Sequence, residues 1–259
     1  MENIGYYNGK FDLIEKMTVP MNDRAMYFGD GVYDATYSVN RTIFALEDHL
    51  DRFYNSCRLL EIPAPMPREE LKKTLYECVN KVDDPNQFVY WEATRGTGIR
   101  NHVFPDSPSN LLIYTRPCPM KDLSLRYKLA TMEDKRFYYC NVKTLNLIPS
   151  VLASQRALEK GCDETVFHRG DLVTECAHSN VSIIKDGKFI THQLDCLVTC
   201  GDVYTGCLVA FRTALAHIYT LTFIYSLLLR GISISNIFFS ASSGTGMGYS
   251  PEKQASQKP

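Results

Sequence analysis

Apolar residues in this chain recur at two periods, and the switches between them lay out strands and helices. Ile4–Tyr6 and Phe11–Ile14 flank Tyr7-Asn8-Gly9-Lys10, whose Asn-Gly pair predicts a tight hairpin. Val32–Val39 alternates and is rich in β-formers, and Asn40-Arg41 turns it into Thr42–Ala45. Leu46, Leu50, Phe53, Tyr54, Cys57 and Leu60 then repeat at helical spacing, which predicts a helix over 47–60. Pro67 followed by Arg68-Glu69-Glu70 opens a second helix, with Leu71, Leu75, Cys78, Val79 and Val82 as its apolar face. Strands follow at 87–94 and 110–115.

The two prolines of Arg116-Pro117-Cys118-Pro119 break any element there and mark the best linker. Beyond it, 125–131 reads as a strand, and Pro149–Lys160 as a helix closed by a C-cap glycine, Gly161. Arg169-Gly170 turns Glu164–His168 into Leu172–Val173, and Asp186-Gly187 lies between Val181–Ile184 and Phe189–Thr191 as a second hairpin signal.

Composition narrows the class. The 259 residues are 45% hydrophobic and 22% charged, which is globular rather than disordered or fibrous. Lys plus Arg is 28 and Asp plus Glu is 29, so bulk charge offers no reason to bind nucleic acid or an anionic membrane. Nine cysteines without an N-terminal apolar export segment point to a reducing compartment, the cytoplasm. Cys196, Cys200 and Cys207 lack the two-residue spacing of a zinc site, so reduced thiols are the plainer reading and no metal is assigned.

Charge is unevenly spread. Between 196 and 249 the charged residues are Asp202, Arg212 and Arg230 alone. Thr213–Leu229 holds none, at the lower limit of length for a membrane span; with His217 and four Thr or Ser inside it, a buried helix or strand pair fits better.

Four segments carry chemistry. They are Phe28-Gly-Asp-Gly-Val-Tyr33, Asp48-His-Leu-Asp-Arg-Phe53, Thr94-Arg-Gly-Thr-Gly-Ile-Arg-Asn-His102, and the pair Val142-Lys-Thr-Leu-Asn146 with Val173-Thr-Glu-Cys-Ala-His-Ser-Asn-Val181. In this order they resemble the class IV (fold-type IV) pyridoxal-phosphate aminotransferases, most of all the D-amino-acid-specific branch, from about residue 5 to 195.

The resemblance implies an α/β (α+β) chain of two domains, a small N-terminal one over 1–118 and a larger, pseudo-barrel one over 119–259 that binds pyridoxal 5′-phosphate. Lys143 matches the lysine that forms the Schiff base; such a lysine must shed its proton, and desolvation helps it do so. Glu175 matches the carboxylate facing the pyridine nitrogen, where a negative charge keeps the ring protonated and electron-accepting. Arg52 matches a ligand of the cofactor phosphate, although Asp48 at i−4 offers it a plain helix-face partner. Ser179 and Asn180 follow at the family's cofactor-side position, while Cys176, Ala177 and His178 replace its smaller or hydroxylated residues. Tyr33, Arg100 and His102 match the group that holds the substrate α-carboxylate in D-specific enzymes. The Arg-x-His spacing sets both side chains on one face of an extended segment.

After Asp195 the family pattern breaks. A Leu-Pro-Gly-type turn is expected, and Cys196-Leu-Val-Thr-Cys-Gly-Asp stands instead. The pattern returns in part at Asn236–Thr245, where Ser243, Gly244 and Thr245 resemble the second phosphate-binding loop. The low charge, lost motif and partial return fit a shifted reading frame from 196 to about 235 and in the tail from Met247; a divergent or degenerate member is the alternative. The implied activity is transamination between a D-alanine-like amino acid and a 2-oxoglutarate-like acid, in a homodimer. Alternatives within the fold are a branched-chain L-amino-acid aminotransferase, an aminodeoxychorismate lyase or an inactive relative.

Overall fold

The computed structural model describes residues 1–120, 125–185, 188–191, 222–223 and 236–240. Its N-terminal part is a six-stranded antiparallel sheet carrying two long helices. The strands are β1 (Ile4–Tyr7), β2 (Lys10–Asp12), β3 (Gly31–Val39), β4 (Thr42–Ile43), β5 (Gln87–Thr94) and β6 (Asn110–Pro117), in the order β2-β1-β6-β5-β3-β4. The first hairpin turns at Asn8 (φ 44°) and Gly9 (φ 94°), both positive as a type I′ turn requires.

Alternation along the strands divides the sheet into two faces. Val32 of β3, Val89, Trp91 and Ala93 of β5, and Leu111 and Ile113 of β6 form one core with helix α2 (Leu46–Leu59) and helix α3 (Arg68–Lys81). Leu50 and Phe53 of α2 and Leu71, Leu75, Cys78 and Val79 of α3 are the buried stripe, at the positions the periodicity predicts. The other face carries a ladder of tyrosines. Tyr33 stacks on Tyr90 at 5.5 Å, and Tyr90 on Tyr114 at 4.8 Å.

A short helix α1 (Arg24–Phe28) precedes β3. Asp23 caps it by accepting from the backbone N–H of Ala25 at 2.8 Å, and Gly29 closes it with φ 62°.

The C-terminal part begins with a βαβ unit. Strand β7 (Leu129–Glu133) and strand β8 (Glu164–Arg169) run parallel, joined through helix α4 (Ile148–Glu159). Strand β9 (Leu172–Cys176) returns antiparallel to β8, across the predicted Arg169-Gly170 turn. A second sheet holds β10 (Asn180–Lys185), β11 (Lys188–Thr191), β12 (Thr222–Phe223) and β13 (Asn236–Ser240), in the order β11-β10-β13-β12.

Several expected boundaries move: the strand expected over Phe11–Ile14 is Lys10–Asp12, with a 3-10 turn at Ile14–Lys16, and that expected over Leu172–Val173 runs on to Cys176. Strand β7 starts at Leu129 rather than at 125, because its parallel partner starts at Glu164 and the backbone N–H of Lys128 is taken by the Asp163 side chain at 2.6 Å. Strand β6 runs to Pro117, two residues past the expected 115, because Gln87 and Phe88 of β5 continue to pair with it. Within Thr213–Leu229, Thr222–Phe223 is a strand; the rest of that run lies outside the described residues. Among the described residues no helix is long and apolar enough to cross a membrane.

Candidate active site

Strand β4 covers only the far end of β3, leaving residues 31–33 with an open edge. The segment 142–146 docks there. Thr144 bridges Val32, the backbone N–H of Tyr33 donates to the Lys143 carbonyl at 2.9 Å, and that of Leu145 donates to the Gly31 carbonyl at 3.1 Å. Asn146 Nδ2 donates to the Gly29 carbonyl at 2.9 Å. The approach is tight: a Cβ at Gly31 would stand 2.6 Å from Leu145 Cδ1 and 2.8 Å from the Ala93 carbonyl oxygen. Val142 enters the N-terminal core, and Ser56 of α2 accepts from the Lys143 backbone N–H at 3.3 Å.

Lys143 is thereby held at 4% exposure, its Nζ 4.4 Å from the centre of the Tyr33 ring. Both side chains open onto one cleft. Glu175 and Ser179 line the same cleft, as do Arg136, Tyr139, Asn146 and His178.

Charge in this cleft is strongly organised. Glu175 at the end of β9 is buried and ion-paired with Arg136. Arg136 also holds Asp134 at 2.9 Å, and Thr174 Oγ1 donates to the same Asp134 at 2.9 Å. Burial works against the charge on Arg136, but Asp134 and Glu175 outweigh it and raise its pKa, so the guanidinium stays charged. Asp134 is held below its ordinary value for the matching reason: burial opposes its charge and Arg136 overrides burial. His178 Nδ1 lies 3.0 Å from the buried Glu164 carboxylate, which Ser179 Oγ also meets at 2.7 Å. Cys140 lines the cleft as a neutral thiol, its pKa pushed up to about 11 by burial.

The remaining expected residues fall elsewhere. Arg52 is buried on α2, with Nε and Nη2 donating to Asp34 at 2.7 and 2.6 Å, and it does not line the cleft. Asp34 takes the place foreseen for Asp48, because β3 presents it straight at the buried face of the helix. Ser56, one turn further along α2, touches the lysine segment. Asn180 is buried at the start of β10.

Tyr33, Arg100 and His102 are not gathered within one chain. Tyr33 lines the cleft, whereas Arg100 and His102 are exposed on the loop between β5 and β6. The segment is not the extended one their spacing implied, for the Asn101 N–H turns back to the Ile99 carbonyl at 2.7 Å, but both meet one ring: the Arg100 guanidinium lies 5.3 Å and the His102 ring 5.1 Å from the centre of the Phe28 ring. Ser243, Gly244, Thr245 and the cysteines at 196, 200 and 207 lie outside the described residues. Arg136, Asp134 and Glu164 carry no local signal because each meets a partner distant in the chain: Glu175 for Arg136, Thr174 for Asp134 and His178 for Glu164.

A buried amine on one wall and a buried carboxylate on another are the donor set that an aldehyde-bearing, pyridine-based cofactor requires, so these residues fit pyridoxal phosphate. Comparison with known proteins agrees. The family model described as amino-transferase class IV matches residues 31–202. A D-alanine aminotransferase of Listeria monocytogenes serotype 4b (strain F2365) is 38% identical over 195 residues, 72% of this chain and 67% of that protein. In fold, the chain is similar to the branched-chain aminotransferase of Thermoproteus uzoniensis crystallised with norvaline, with a TM-score of 0.72 at 19% identity, covering 82% of this chain and 75% of that one. It is likewise similar to the branched-chain amino acid aminotransferase of Thermobaculum terrenum in its PLP-form, with a TM-score of 0.67 at 22% identity over 83% and 76% of the two chains. Motifs, cleft and relatives converge: this chain belongs to the class IV aminotransferases, pyridoxal-phosphate-dependent enzymes of transamination.

Proposed function

We propose that this enzyme moves an amino group between a D-alanine-like amino acid and a 2-oxoglutarate-like acid. The observation that carries the reading is the shared cleft of Lys143 and Glu175, in a chain 38% identical to a D-alanine aminotransferase over 195 residues. The branched-chain structures match in fold at 16–22% identity and carry no substrate argument.

Bound pyridoxal phosphate supplies an aldehyde to take up the amino group and a ring that accepts electrons from the substrate Cα. Lys143 Nζ would hold the cofactor and would carry the proton between the substrate Cα and the cofactor carbon C4′. The Tyr33 ring against Nζ fixes where that amine sits. Glu175, ion-paired with Arg136, would face the ring nitrogen, where a carboxylate keeps the ring protonated. Ser179 and Asn180 would lie on the cofactor side and Ser243, Gly244 and Thr245 would hold the phosphate; Arg52 would join them only on giving up contacts to Asp34.

Tyr33, Arg100 and His102 bind the substrate carboxylate. Because Arg100 and His102 stand exposed outside their own chain's cleft, the proposal includes a homodimer in which one protomer offers them to its partner's Lys143. It also includes a small domain over 1–118, a larger one over 119–259, and a cytoplasmic location.

The test is amino transfer from D-alanine to 2-oxoglutarate by purified protein loaded with pyridoxal phosphate, followed as pyruvate, with L-leucine as the competing donor. D-alanine turnover and a visible absorbance band, both abolished in Lys143→Ala, are expected. Turnover of L-leucine with indifference to D-alanine would overturn the reading.

A further inference from the structure

The loop between β5 and β6 carries Arg100 and His102 on exposed backbone, and such a loop needs pegs if two side chains are to keep one geometry. Arg24 of α1 supplies them. Its side chain is 4% exposed. Nη1 donates to the carbonyls of Asn101 at 2.6 Å and Val103 at 3.2 Å, the two peptide oxygens that bracket His102. Nε donates to Asp30 at 2.7 Å, and the backbone N–H of Arg24 donates to the Gly96 carbonyl at 3.0 Å, at the root of the same loop.

The anchor is itself anchored. Asp30 also accepts from Arg95 Nε at 3.0 Å, and Arg95 reaches the carbonyls of Glu61 and Leu60 at 2.9 and 2.8 Å. The Arg95 guanidinium lies 3.7 Å from the centre of the Phe104 ring, pinning the loop beyond Val103. Four residues after Arg24, and so on the same side of α1, Phe28 presents the ring on which Arg24, Arg100 and His102 all converge, at 4.9, 5.3 and 5.1 Å.

We propose that Arg24 is a positioning residue for substrate recognition. It clamps the loop on both sides of His102 and, through Phe28, sets Arg100 and His102 in one fixed relation before the substrate carboxylate arrives. The inference rests on the carboxylate role of Arg100 and His102 proposed above. A planar guanidinium with several donors reaches a carboxylate and two carbonyls at once; an ammonium or an amide does not. Preorganisation of this kind lowers the ordering cost of binding and leaves the chemical step alone.

The test uses the cofactor-loaded enzyme with Arg24→Gln, Arg24→Lys and the reference variant Arg100→Gln. In Arg24→Gln the KM for D-alanine should rise roughly tenfold with kcat changed less than about twofold, the pattern of lost binding rather than lost catalysis. Amide hydrogen exchange should speed up across 99–105 and stay unchanged in the peptide holding Lys143. Arg24→Lys, which keeps charge against Asp30, should fall between and serves as the readable variant if Arg24→Gln does not fold. Unchanged exchange at 99–105, or an unchanged KM in a loosened loop, would overturn the clamp. An unchanged KM in Arg100→Gln would overturn the carboxylate role on which it rests, and the exchange data distinguish the two failures.

Discussion

Asp34→Ala is the substitution whose effect on stability the structure defines best. Asp34 is fully buried in the middle of β3, and its carboxylate takes Nε and Nη2 of Arg52 at 2.7 and 2.6 Å and meets Nδ1 of His49 at 2.8 Å. Arg52 is itself 5% exposed, so removing the carboxylate leaves a guanidinium in the core with its main counter-charge gone. Breaking a buried pair from one side costs about 3–5 kcal/mol. Replacing both partners by apolar groups avoids the stranded charge, so Asp34→Ala/Arg52→Met should be more stable than Asp34→Ala alone. The assay is urea unfolding at pH 7, read from the single tryptophan, Trp91, whose ring lies 6.4 Å from that of His49. The pH dependence has a definite sign. Burial opposes charge on Asp34, but Arg52 and His49 override it and hold the carboxyl well below its usual range. Its contribution is therefore full above the unfolded pKa of about 3.9 and fades as pH falls below that value toward the folded pKa. The gap between wild type and Asp34→Ala should be constant from pH 5 to 7 and shrink on acidification. A loss under about 1 kcal/mol at pH 7, or a double variant no better than the single one, would refute the reasoning.

Other outcomes follow from the same geometry. Gly31→Ala forces a Cβ against Leu145 and the Ala93 carbonyl, so it should cost about 1–3 kcal/mol and loosen the lysine segment; thermal unfolding and the cofactor absorbance report both effects. Glu92 accepts from Tyr90 Oη at 2.5 Å, and burial pushes its pKa up while that hydrogen bond pulls it down. A raised carboxyl stabilises below its unfolded pKa of about 4.3 and loses that contribution as pH rises through the folded value. Glu92→Gln should therefore gain Tm relative to wild type as pH rises above about 4.3, and a difference constant from acid to neutral pH would count against the assignment. Burial pushes the thiols of Cys57 and Cys78 up to about 12, so among the six described cysteines native alkylation at pH 8 should reach Cys118 and Cys162 and spare the buried four, as peptide mass spectrometry would show.

The elements were legible wherever local signals agreed. The Asn8-Gly9 hairpin, the stripe of α2 and the Pro67 start of α3 each rest on short-range chemistry that travels with the sequence. The start of β7 was not, because a strand with few local cues begins where its parallel partner begins, at Glu164. Among the site residues, Lys143 and Glu175 were readable as motif positions and do share a cleft. The partners that make them work were not: Arg136 sits in Asp-Lys-Arg-Phe, a run with no distinguishing pattern, and meets Glu175 only because β9 returns beside it.

The sequence by itself determined the order of strands and helices, the family and the residue types its chemistry needs, since periodicity, turn residues and motif spacing are local properties. The tertiary structure alone decided which charges meet. It set Asp34, not Asp48, against Arg52 and docked Lys143 on the open edge of β3. It also drew Arg24, Arg100 and His102 around Phe28. The Asp34–Arg52 pair joins a strand to a helix, and burial is what makes it strong: in water it would be a weak, screened contact, whereas in the core loss of the carboxylate leaves a guanidinium away from solvent.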